Sequence, residues 1–111
     1  MEILDLIKES YETAKDKGWW DDPKPNIPEK IALMHSELSE ALEEVRKGMP
    51  ICDIYNDGGK PEGFTVELAD VFIRIADLIG RYGLESVFLE ALQEKLAYNR
   101  KRPYRHGNKT C

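Results

Sequence analysis

Between Asn26 and Gly48 the apolar residues Ile27, Ile31, Met34, Leu38, Ala41, Leu42 and Val45 return at intervals of three and four, the period of one face of an α-helix. Asn26 and Glu29 have the spacing of a capping box, Pro28 suits a first helical turn, and Gly48 with Pro50 closes the segment. Three further stretches read the same way. Ile3, Leu6, Ile7, Tyr11 and Ala14 line a helix that stops at Gly18. Residues 64 to 82 are apolar over most of a helical circumference and leave Glu67, Asp70, Arg74, Asp77 and Arg81 as a narrow polar stripe, so this third helix is expected to be largely buried. Leu84, Phe88, Ala91 and Leu92 begin a fourth helix that runs to about Lys101, before Pro103. Between the second and third helices, residues 48 to 63 hold four Gly and two Pro and read as a long loop, a length typical of functional or mobile connections. No strand pattern and no internal repeat stands out. The expected fold class is all-α: a four-helix bundle in a single domain, residues 1–111, with a basic C-terminal tail from about 102 to 111.

A chain of 111 residues is near the size at which helices recruit another copy to finish burying their apolar faces, so homo-oligomerisation is expected. No run approaches the roughly 18 apolar residues of a membrane span, and the N-terminus alternates charged with apolar residues rather than forming a signal sequence. A soluble, cytoplasmic protein without a membrane partner is the expectation. Cys52 and Cys111 fit neither a disulfide framework nor a zinc site, which agrees with a reducing compartment. The net charge of -5 conceals a segregation: residues 95–111 hold six Lys/Arg and no acid, and residues 1–94 hold 10 basic against 21 acidic residues. An acidic body suits hard cations and a basic end suits phosphates. The same acidity argues against a large nucleic-acid footprint, and so against nucleic acid as a partner.

Glu37 and Glu40 flank the apolar stripe of the second helix, together with Glu44, and Glu67 and Asp70 repeat the three-residue spacing on the third. About four such acid pairs are expected by chance at this acid content, so one pair alone says little. Two pairs beside the most apolar helices say more. If these helices pack antiparallel the pairs converge into an oxygen-only cluster suited to Mg²⁺ or Mn²⁺ and unsuited to tetrahedral zinc. On the fourth helix, Lys95 and Asn99 fall at the centre of the apolar stripe, where an ammonium and an amide require polar partners such as phosphates or a nucleobase. Snorkelling of Lys95 into solvent is the simpler alternative. Arg100, Lys101, Arg102, Arg105, His106 and Lys109 prolong the positive charge, and Trp19 is a candidate base-stacking surface, whereas Trp20 suits anchoring the first helix.

The segments HSELSEALEEVR (35–46), ELADVFIRIADL (67–78) and KLAYNRKRPYRHGNK (95–109) together resemble the MazG-like, all-alpha nucleoside triphosphate pyrophosphohydrolase superfamily. The family's metal motif is Glu-Glu-x-x-Glu followed, after a variable gap, by Glu-x-x-Asp. Here Ser36, Glu37, Glu40, Glu67 and Asp70 match it, with Ser36 departing from the pattern as in branches similar to dCTP pyrophosphatase. The resemblance implies a MazG-like bundle completed as a homodimer or homotetramer and Mg²⁺, or Mn²⁺, held by Glu37, Glu40, Glu67 and Asp70. It implies hydrolysis of a nucleoside triphosphate between the α and β phosphates, giving the monophosphate and pyrophosphate. Glu37 and Glu40 are then candidates for activating water, and Lys95, Asn99, Arg102 and Trp19 for binding substrate. Phosphoribosyl-ATP pyrophosphatase is an alternative of similar fold and chemistry, and a non-enzymatic helical interaction module is an alternative in which the acidic stripes are merely solvated.

Overall fold

The computed structural model describes residues 1–104, in the order α1 (Ile3–Asp16), α2 (Ile27–Arg46), β1 (Tyr55–Asp57), β2 (Lys60–Glu62), α3 (Phe64–Arg81) and α4 (Glu85–Lys101). The four expected helices are present. Asn26 caps α2, its Oδ1 accepting from the Glu29 amide at 3.0 Å, with Pro28 in the first turn. Helix α3 is the centre of the molecule, because both α1 and α2 pack along it. The α1–α3 contact is close: a methyl group on Gly80 would come within 2.6 Å of Tyr11 Cβ. Ile7, Ala76 and Ile79 form the buried cluster there, with Leu6, Ile75 and Phe88 packed around it.

Three expectations need correction. The segment between α2 and α3 is not all loop, since Tyr55–Asp57 pairs antiparallel with Lys60–Glu62, Asp57 facing Lys60. Gly58 and Gly59, at φ 61° and 87°, form the two-residue turn that joins the strands. Left-handed conformation at both turn residues matches the twist of a hairpin and is open to glycine without penalty. Strands of three residues are too short to display a period of two, so the Gly-Gly pair was the signal available.

The second correction concerns burial. Helix α3 is not covered all round, for Phe72 is 65% exposed, and along α2 Leu38, Leu42 and Val45 are exposed as well. The third concerns α4, which meets the rest of the molecule chiefly at α3 and has no buried residue. No helix among the described residues is long and apolar enough to cross a membrane.

Candidate functional site

Packing of α2 on α3 brings the two acid pairs of the sequence together. Glu37 and Glu40 stand one turn apart on α2, and Glu67 and Asp70 one turn apart at the start of α3. One carboxylate oxygen from each of Glu37, Glu67 and Asp70 lies within 4.8 Å of the others. Glu40 stands at the edge of this group and shares a cavity wall with Glu37 and Asp70. Ser36, one residue before Glu37, is exposed on α2, as are Ser39 and Glu43.

Glu67 is the most constrained member. It is 3% exposed, and its Oε2 is buried with no hydrogen-bond partner. A carboxylate oxygen taken out of water in this way forfeits its hydration with nothing in exchange. Burial raises the Glu67 carboxyl to about 8, helped by hydrogen bonding to Glu40 and Glu37 and by the negative charges of Glu40 and Asp70. Asp70 is also raised, chiefly by burial and by the charge of Glu37, with the Arg74 guanidinium acting in the opposite direction. Arg74, one turn beyond Asp70, donates from Nε to Glu37 Oε1 at 3.0 Å, and its second nitrogen approaches the same oxygen at 2.9 Å. Both contacts fall on Oε1, so Arg74 holds the Glu37 carboxylate by one oxygen.

The donor set is therefore all oxygen, densely acidic and partly dehydrated. Such a set matches the preference of Mg²⁺ or Mn²⁺ for hard anionic ligands, and a divalent cation would both offset the mutual repulsion of the carboxylates and give Glu67 Oε2 a partner. The residues present fit that group of ions.

From the carboxylates a cavity of about 580 Å³ extends between α1, α2 and α3 to Trp19 and Trp20. Its size suits a small organic ligand. Trp19 lines this cavity and is 59% exposed. Trp20 is instead buried, as expected of an anchor: its indole N–H donates to Asp77 Oδ1 at 2.6 Å, and its ring meets Tyr82 edge-on. The Lys30 ammonium sits 4.6 Å from the Trp20 ring centre. Burial raises the Asp77 carboxyl, with the Trp20 hydrogen bond and the Lys30 charge opposing it.

Lys95, Asn99 and Arg102 do not join this cavity within one chain. Lys95 and Asn99 are exposed on α4, which corrects the expectation that they occupy the centre of a buried stripe. The physical reason is that α4 stands off the body, so its apolar stripe meets no partner beyond the first turns. Lys95 and Arg102 lie over the ring of Tyr98 on their own helix, at 4.9 and 5.5 Å. Arg105, His106 and Lys109 lie outside the described residues.

Two cations beside the carboxylates received no role in the sequence reading. Arg74 was legible as part of the α3 polar stripe, four residues after Asp70. Lys60 was not, because only the hairpin brings a residue so far from α2 and α3 in pattern to the cavity wall. Comparison of the chain with protein-family models, with curated proteins and with solved structures gives no match.

Proposed function

We propose that this chain is a divalent-metal-dependent hydrolase of nucleoside triphosphates that cleaves the α–β phosphoanhydride to give a nucleoside monophosphate and pyrophosphate, the activity implied by its resemblance to MazG-like pyrophosphohydrolases. The observation that carries the reading is the buried, unpartnered Glu67 Oε2 within a cluster of carboxylate oxygens, opening on a cavity of ligand size. An acidic stripe that was merely solvated would leave its oxygens to water, and Glu67 Oε2 is withdrawn from it. The non-enzymatic alternative is disfavoured on that ground.

In this reading Glu37, Glu40, Glu67 and Asp70 hold Mg²⁺ or Mn²⁺. When bound, the ion supplies positive charge to phosphate oxygens and lowers the pKa of water. Glu37 or Glu40 takes the proton of the attacking water. Arg74 fixes Glu37 through its hydrogen bond and ion pair and adds positive charge where negative charge accumulates. Trp19, at the far end of the cavity, offers a face for a base.

The active assembly is a homodimer or homotetramer. Leu38, Leu42 and Val45 on α2, Phe72 on α3 and Val87 on α4 are exposed on a single copy, and association with another copy would cover them. Lys95, Asn99 and Arg102 then act, if they bind substrate, at a cavity of another copy, since their own lies off α4.

A screen of ordinary and modified nucleoside triphosphates, with phosphoribosyl-ATP alongside, tests the proposal in Mg²⁺ or Mn²⁺ with pyrophosphate resolved from orthophosphate. Pyrophosphate and monophosphate in equal amounts are expected. Release of orthophosphate alone, or no turnover of any of them, would sink it, and preference for phosphoribosyl-ATP would reassign the substrate.

A further inference from the structure

Resting on the metal-phosphate reading of the cavity, we infer that Lys60, at the head of β2, is a phosphate-binding residue that the hairpin holds over the open side of the carboxylate cluster. Lys60 lines the same cavity as Glu37, Glu40, Asp70 and Arg74, although it comes from a different element. Its position is fixed by two features. The Gly58-Gly59 turn sets it directly opposite Asp57 in the hairpin register. The hairpin is in turn tied to α2 by Tyr55, whose hydroxyl donates to the buried Glu44 carboxylate, 2.8 and 3.0 Å from its two oxygens. Glu44 lies one turn beyond Glu40, so this bond holds the base of the hairpin beside the metal-ligand face of α2.

Lys17, Lys30, Lys60 and Arg74 are the cationic side chains on the cavity wall, and of the two whose charge acts on Asp70, Arg74 and Lys60, Lys60 is the better suited to accept a new anionic partner. Arg74 already directs Nε and Nη2 at Glu37 Oε1, and Lys30 lies against the Trp20 ring. Lys60 is held by Glu62 at 3.3 Å, with its side chain 72% exposed. An ion pair whose lysine is so exposed is screened by solvent, so exchanging Glu62 for a phosphate oxygen costs little. Glu62, through its hydrogen bond and charge, is the main influence favouring the ammonium form of Lys60, and Glu40 and Glu67 add to it. A polyphosphate entering a cluster of carboxylates leaves negative charge that divalent ions offset only in part. A flexible ammonium above the cluster supplies the remainder without displacing any carboxylate oxygen.

Calorimetric titration of the full chain with imidodiphosphate, a hydrolysis-resistant pyrophosphate analogue, in saturating Mg²⁺ tests the assignment, with Mn²⁺ affinity measured separately without phosphate by electron paramagnetic resonance. Lys60→Met should weaken imidodiphosphate about tenfold, the scale of one charge-assisted hydrogen bond, and Lys60→Arg should recover most of the loss. Mn²⁺ affinity should not fall in either variant. Unchanged imidodiphosphate affinity in Lys60→Met would overturn the assignment, as would a parallel loss of Mn²⁺ affinity, which would make Lys60 a support of the carboxylates, or an absence of imidodiphosphate binding by the wild-type chain. The two proposals fail separately: Lys60-dependent binding with no nucleotide cleaved removes the hydrolase reading alone, and cleavage with binding indifferent to Lys60 removes this inference alone.

Discussion

A carboxyl group that is 3% exposed and surrounded by other acids is costly to ionise, and Glu67 shows the consequence in its rise to about 8. The folded chain holds that proton up to about pH 8, whereas the unfolded chain releases it near the ordinary value of 4.5. Between these values the folded state binds more protons than the unfolded state, so stability falls as pH rises through the window, by at most ~1.4 kcal/mol per pH unit for one group. Raised Asp70 and Asp77 act in the same direction. Thermal unfolding of metal-free protein should show this decline, and saturating Mn²⁺ should remove the share owed to Glu67 and Asp70 while leaving that of Asp77. A flat metal-free profile would contradict the electrostatics described for Glu67. Asp70→Asn keeps shape but removes one carboxylate of the proposed ligand set. It is expected to lower turnover by about two orders of magnitude or more and to raise the metal-free melting temperature by relieving repulsion. Circular dichroism should show unchanged helix content, and retained activity would remove Asp70 from the ligand set.

At the level of elements, α3 does two jobs along its length. Its N-terminal half presents Glu67 and Asp70 to α2, and its C-terminal half packs Ala76 and Ile79 against Ile7 of α1. Gly80 allows the second contact, because any Cβ there would press on Tyr11 and Ile7. Alanine at Gly80 gains about 1 kcal/mol of helix propensity, but overpacking this crossing costs ~1–3 kcal/mol. A net loss of up to about 2 kcal/mol in denaturant unfolding is expected. Gain of stability would mean that α1 shifts without strain. Helix boundaries and the Asn26 cap were readable from the sequence because they depend on residues within one turn of each other. The hairpin escaped notice for the opposite reason: its strands are too short for a pattern, and their anchor, Tyr55 on Glu44, joins residues eleven positions apart.

For the whole molecule, the radius of gyration of 16.7 Å exceeds the roughly 13 Å of a compact chain this long. The extra extent agrees with an α4 that has no buried residue. Large apolar side chains remain exposed on three helices. Association of copies through these surfaces is the expected resolution, and light scattering after gel filtration should report a dimer or tetramer. Phe72→Glu, which sets a charge on a position 65% exposed in the single chain, should shift the protein toward monomer and make its melting temperature lower and independent of concentration. A wild-type monomer at micromolar concentration would refute the assembly.

Sequence alone determined what is local: four helical segments, the cap of α2, and two acid pairs at one-turn spacing, each set by periodicity or by contacts within a few residues. It also contained the identities of the candidate ligands, but with acids this abundant it could not decide whether the pairs meet. Only tertiary packing decided that Glu37, Glu67 and Asp70 converge and that Glu67 is buried, because convergence depends on how α2 lies on α3. Packing also separated Lys95 and Asn99 from the cavity of their own chain and brought Lys60 and Arg74 to it. A helical stripe records which residues share a face. Which surface that face meets is settled by the rest of the fold.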